Sequence, residues 1–236
     1  MSISATSGNF AFAATFGTAT HQITLPSARP SANSSIVLGF LDRSGGAVIT
    51  DVLDSVNGSW GSHSSTHTDG SLNLTRVYIF PASASGTPTV TVTTEVSQNA
   101  QLTVGWIQGT VVAPTFEAAA TVANDTSSNT DTDSNTVTAA GGGGIMGFLY
   151  TPNAQSTTPT ADGAGESLLI SGGAGIRTFM CFEAYASGGA HGFELTLASA
   201  STTVFHVVAL QEAAGNGAAP LTNAIALKSK LRGLVT

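Results

Sequence analysis

His63 and His67 stand four residues apart, with Asp69 two residues further on, so two imidazoles and a carboxylate fall within one short stretch. On a helix this spacing would place both rings on one face, a geometry suited to zinc or nickel. The surrounding segment, SVNGSWGSHSSTHTDG, is rich in Ser and Gly and predicts a solvated loop instead. Asp131, Asp133 and Asn135 begin like a calcium loop, in which oxygen ligands at alternate positions wrap a hard cation. The sixth position is Thr136 where an EF-hand needs Gly, and the twelfth is Gly142 where it needs Glu, so the EF-hand pattern fails. Asp125 and Asn129 add oxygens nearby, which leaves another calcium geometry open beside a solvated linker. No metal or other cofactor is expected.

Hydrolytic chemistry requires a nucleophile held by a base, or two carboxylates flanking a bond. The chain has no G-x-S-x-G elbow, and none of its five histidines adjoins a nucleophile signature. Glu95, Glu183 and Glu194 lie in or beside strand-patterned runs, and two of them could face a groove as in sandwich-type glycosidases, although among 14 acidic residues such pairs arise by chance. The expectation is a protein without catalytic residues. Trp60, Trp106 and Tyr78 offer flat faces for stacking on a sugar. Trp106, between Gly105 and Ile107 in an apolar run, predicts a core position, whereas Trp60, in a loop, is the candidate stacking face for a glycan.

Composition narrows the elements that must position these groups. Only 9% of the 236 residues are charged while 42% are hydrophobic, and Gly, Ser and Thr fill much of the remainder. That is neither a disordered nor a helical composition, so the core must be built from β-branched and small side chains. The net charge is −7, and Lys228, Lys230 and Arg232 form the one local basic group. No stripe exists to neutralise a phosphate backbone, which argues against nucleic acid. The single cysteine, Cys181, lies in the apolar run Phe179–Phe182 and predicts a buried, inert thiol. No run of about 18 apolar residues is present to span a bilayer, and MSISATSGNFAFAATF lacks the basic and apolar regions of a secretory signal.

The clearest pattern runs from Leu72 to Val96, where LNLTRVYIF and TVTVTTEV flank a loop from Pro81 to Pro88. It predicts an antiparallel arch or loose hairpin. His21 to Leu25, Ser35 to Asp42, AVITDVLD, Gln101 to Val112, GIMGFLY, ESLLI, IRTFMCFEAYA, HGFELTLA and TTVFHVVALQEA predict further strands. SIVLGFLD and GIMGFLY, apolar on both parities, predict strands buried on both faces. The polar block from 123 to 144 predicts a linker with one small strand, where a domain boundary would fit. Phe10, Phe12 and Phe16 suit an arm pinned on a neighbour or on the chain's own body, and the tail holding Ile225, Leu227, Lys228, Lys230, Leu231, Arg232 and Leu234 suits a second docking arm. About a dozen short strands without a long helix predict an all-β sandwich. Its expected parts are an arm at 1–18, a body at 19–213, and a linker and arm at 214–236. Each half holds a GFL strand, at 39–41 and 147–149, but the likeness fades in the flanks.

The order of RVYIFPASASGTPTVTV, LTVGWIQG, a polar stretch, GIMGFLY and HGFELTLASASTTVFHVVALQEA resembles the jelly-roll β-sandwich domains of phage structural proteins and bacterial surface proteins. Tyr78 and Gly86 to Val92 match that family's Tyr strand and turn-strand. The long polar block and the two tails depart from it. The resemblance implies an antiparallel jelly-roll-like sandwich and a virion protein made in the host cytoplasm: a capsid decoration or cement protein. Its expected partners are the major capsid protein or another virion protein, and itself as a homotrimer. The alternative it leaves open is a glycan-binding module of a phage appendage.

Overall fold

The computed structural model describes residues 3–30, 32–42, 48–61, 64–68, 74–81, 84–117, 123–133, 136–139, 143–151, 160–161, 166–172 and 178–212. Alternating Val, Ile and Thr make strands along most of this length. The N-terminal half supplies β1 (Ser4–Ala5), β2 (Ala11–Thr24), β3 (Ser34–Asp42), β4 (Ile49–Asp54), β5 (Gly58–Ser59), β6 (Ser64–Thr68), β7 (Leu74–Pro81) and β8 (Thr89–Gln108), which form one sheet. The C-terminal half supplies β9 (Pro114–Phe116), β10 (Ala123–Asp133), β11 (Val137–Ala139), β12 (Gly143–Tyr150), β13 (Thr160–Ala161), β14 (Glu166–Gly172), β15 (Thr178–Tyr185), β16 (Gly189–His191) and β17 (Glu194–Glu212). All but β11 and β16 join a second sheet, and those two pair with each other. Every pairing is antiparallel, and the fold is an all-β sandwich.

The strands at 35–42 and 144–150 form as expected: β3 and β12 are buried at every position. Each needs apolar side chains on both parities because it is covered on both faces. One layer between the sheets holds Val37, Leu41, Val77, Ile79 and Ile107 against Met146, Phe148, Met180, Phe182 and Leu210. The outer face of each sheet curls over a core of its own. In the N-terminal sheet that core contains Ile36, Leu38, Phe40, Val90, Val92 and Leu102; in the C-terminal sheet, Ile145, Leu149, Phe179, Leu195, Phe205 and Val207.

The expected hairpin between Leu72 and Val96 is not formed. β7 pairs with β3 and β6, whereas β8 pairs with β3 on the other side, so the two predicted partners are separated by β3. Period two identifies the face a residue occupies and says nothing of the neighbouring strand. A strand buried on both faces takes the central position. The two segments read as separate strands, near 89–96 and from Gln101, are one strand of 20 residues. The polar stretch between them stays extended through pairing with β2, at Thr18 opposite Gln98 and Thr15 opposite Ala100, with bulges that take up the bend.

Residues expected to form an N-terminal arm are part of the body. Ile3 and Phe10 are in the layer between the sheets, and β2 pairs with β8 from Ala11 to Thr24. The polar block assigned to a linker supplies a long strand of the second sheet: ten of the 11 residues of β10 are in register with β17. The C-terminal arm, with Ile225, Leu227, Lys228, Lys230, Leu231, Arg232 and Leu234, lies outside the described residues. No helix among the described residues is long and apolar enough to cross a membrane.

Candidate functional site

The chain after β4 turns at Asp54, whose carboxylate accepts from the Val56 N–H at 2.8 Å, the Asn57 N–H at 2.6 Å and the Asn57 amide at 3.0 and 3.1 Å. This Asx-type turn leads into Gly58, at φ +82°, and folds the following residues back. The Trp60 N–H then meets the Val52 carbonyl at 2.8 Å, and the indole N–H meets Asp54 Oδ2 at 2.8 Å. Trp60 is consequently 1% exposed. Its ring stacks on Phe80 and stands edge-on to Tyr78. The flat face expected for a glycan is turned into the protein, because a carboxylate six residues upstream satisfies the one polar atom that would hold the ring at the surface.

Beside this turn, β4, β5 and β7 enclose a recess of about 220 Å³ lined by Thr50, Asp51, Ser59, Gly61, Arg76 and Tyr78. The Ser59 hydroxyl donates to Asp51 Oδ1 at 2.9 Å. A guanidinium nitrogen of Arg76 lies 3.5 Å from the Tyr78 hydroxyl, while Arg76 Nε is shut off from solvent and has no acceptor among the described residues. Burial raises the Tyr78 pKa, and the adjoining guanidinium partly offsets that rise. The recess therefore presents a cationic fork, hydroxyl groups and a carboxylate, a set that matches a small polyhydroxylated or carboxylate-bearing ligand.

A second polar group occupies the C-terminal half. The Tyr185 and His191 rings stack at 4.1 Å with 16° between planes, and His191 Nδ1 lies 3.7 Å from Glu183 Oε1. Glu183 faces Glu166 across the strand pair, and the Glu166 carboxylate accepts the Glu194 N–H at 3.0 Å. Burial first, then the charge and hydrogen bond of Glu117, push the Tyr185 hydroxyl well above its usual range. This arrangement orients one imidazole between a carboxylate and an aromatic ring. Of the three glutamates considered from sequence, Glu183 and Glu194 share this region, whereas Glu95 is exposed on β8 of the other sheet. Glu117, Glu166 and Tyr185 carried no motif and are found only through the cross-strand register.

The remaining sequence candidates are dispersed. Phe10 packs over Gly105 and Phe12 covers Gly172 of the other sheet, each filling the space that a Cβ on the glycine would need. Both pin the N-terminal stretch to the chain's own body. Phe16 alone projects outward, 70% exposed. Trp106 is partly buried and donates to Ser27 at 3.1 Å. His67 lies in β6 opposite Thr75, while His63 and Asp69 fall outside the described residues. Asp131 and Asp133 are in β10 opposite Thr196 and Glu194, an extended backbone rather than a cation-wrapping loop; Asn135 is outside the described residues. Among the described residues, no three His, Cys, Asp or Glu groups gather to hold a metal ion. Comparison with protein-family models, curated proteins and solved structures finds no match.

Proposed function

We propose that the chain is a non-enzymatic structural protein of a phage virion, a capsid decoration or cement protein that bridges neighbouring subunits and assembles as a homotrimer. The observation that supports this most is a group of exposed apolar side chains near the bend of β8. Phe16, Val96 and Val48 are 70%, 57% and 53% exposed. They gather near the bend of β8: the bulge in β2 lifts Phe16 outward, the Gly17 N–H donates to Asn99, and the Glu95 N–H donates to the Val48 carbonyl. Clustered exposed apolar side chains favour docking on another protein. The fold also draws its polar groups, such as Asp54 and Glu212, into internal hydrogen bonds. The test adds purified full-length protein to capsids lacking it. Saturable binding that raises capsid melting temperature, weakened at least tenfold by Phe16→Asp, supports the proposal; absence of binding overturns it. Point substitution is the right tool, because deleting residues 1–18 would remove a strand of the sheet.

A second function, glycan recognition, draws support from the recess around Arg76 rather than from Trp60. Binding to an acidic saccharide on a glycan array that Arg76→Ala abolishes would favour it over the assembly role.

A further inference from the structure

The order of strands repeats. In the N-terminal half β2, β3, β4, β6, β7 and β8 come in that order, with the two-residue β5 set between β4 and β6, and in the C-terminal half β10, β12, β13, β14, β15 and β17 do so, with β11 and β16 interposed as a separate pair. Their pairings correspond one for one. β8 holds β2, β3 and β4 as β17 holds β10, β12 and β13; β7 joins β3 to β6 as β15 joins β12 to β14.

The register is equally regular. Ile36, Leu38 and Phe40 face the N-terminal core, and Ile145 and Leu149 face the C-terminal one; Val37 and Leu41 share the middle layer with Met146, Phe148 and Tyr150. The faces fix the parity, and matching the strand ends, Ser34 with Gly143 and Leu41 with Tyr150, makes Ile36 correspond to Ile145 and Gly39 to Phe148. Gly39 is opposite Thr103 in β8, and Phe148 is opposite His206 in β17. This superposes Leu102-Thr103-Val104-Gly105-Trp106-Ile107-Gln108 on Phe205-His206-Val207-Val208-Ala209-Leu210-Gln211. The same offset holds at the far end of the strand, where Val52 opposes Val92 and Ala161 opposes Leu195. Val90, Val92, Leu102 and Val104 line one core, and their counterparts Phe193, Leu195, Phe205 and Val207 line the other.

We infer that the chain is one β-module present twice, and that the layer between the sheets is an isologous interface between the two copies. Both modules bury the same face, as a two-fold arrangement requires and a head-to-tail one does not. Gly39 also touches its own counterpart: a Cβ on Gly39 would lie 2.5 Å from Phe148 Cδ2. A residue meets its equivalent only near a two-fold axis. In a dimer of identical modules, this position would hold two glycines around a void or two phenylalanines in collision. Once the copies share a chain, one side can become small and the other large, and sequence identity is lost where complementarity is gained. The outer faces have parted too: Phe80, stacked on Trp60, corresponds to Glu183, paired with His191.

Exchange across the axis tests this. Gly39→Phe alone overpacks the layer and Phe148→Gly alone leaves a cavity, each lowering the melting temperature by roughly 10 °C. The double exchange restores the large–small pair in mirrored order and is expected to melt above both singles. A double variant that melts near the sum of the two losses overturns the inference. If Gly39→Phe does not accumulate, a protease site inserted in the full chain between Glu117 and Ala123 decides. Cleaved protein that remains one folded species of both fragments supports two docked modules; fragments that unfold or separate overturn them.

Discussion

The indole of Trp60 lies parallel to the ring of Phe80, with centroids 5.3 Å apart and planes within 3°, while its N–H reaches Asp54 at 2.8 Å. The stack closes the outer core of the N-terminal sheet, and the hydrogen bond fixes the turn that delivers it. Trp60→Ala is expected to cost about 3–5 kcal/mol, and Trp60→Phe, which keeps a ring but removes the donor, about 1–2 kcal/mol. Denaturant unfolding measures both. In a Trp106→Phe background, Trp60 fluorescence should be blue-shifted and resist quenching by iodide.

His21 is fully buried between the Thr15 and Thr94 hydroxyls and meets Phe40 edge-on. Burial holds its pKa below 6.5, and the nearby Asp42 carboxylate opposes that shift. The unfolded chain therefore takes up this proton first as pH falls. Stability that is complete above pH 6.5 should decline through the window below it, with a slope of up to about 1.4 kcal/mol per pH unit. Melting temperatures of wild type and His21→Leu between pH 7.5 and 5.5 check this; the variant should be less stable and show a flatter profile.

Glu212 ends β17 by gripping the turn after β8. Its carboxylate accepts the Val111 N–H at 2.8 Å and the Thr110 hydroxyl at 3.0 Å. Burial alone would raise its pKa, but these bonds more than reverse that and lower it below 4.5. The stability it contributes is complete above pH 4.5 and is lost as pH falls through the lower folded value. Glu212→Gln should cost about 1–3 kcal/mol at pH 7 and lose part of the acid sensitivity below pH 4.5, as read by chemical denaturation at several pH values.

Cys181 is fully buried, opposite Gly147 and Leu168, and burial pushes its thiol far above the usual range. The native protein should not react with an aromatic disulfide reagent over hours, whereas the urea-unfolded protein should release one equivalent at once. Fast labelling of the native state would show that the C-terminal core opens locally.

Faces were legible in the sequence where partners were not. SIVLGFLD and GIMGFLY announce burial on both sides, because apolar residues of both parities have no other reason to adjoin. Leu72 to Val96 announced two strands, yet their separation by β3 depends on a segment more than 30 residues upstream. Only the end of β2, from His21, was read as a strand, and β10 was missed: Ala, Ser, Asn and Asp favour strands little, and the long partners β8 and β17 supply the pairing. Trp60 was placed outside because its Gly and Ser neighbours describe a loop correctly but not its direction. The group around Tyr185 was illegible for the same reason as the strand order: Glu117, Glu166, Glu183 and His191 meet only through register.

The position of β8 also has a consequence for synthesis. It is the last strand of its sheet to leave the ribosome, yet it pairs with β1, β2, β3 and β4, and Ser4 opposes Gln108. Until residue 108 emerges, those earlier strands have no common partner, and their Val-, Ile- and Thr-rich edges remain exposed to other nascent chains. β17 imposes the same delay on the second half. The protein reaches its final form in two late closures rather than by steady accretion, and a ribosome paused before either strand would hold an adhesive, half-built sheet.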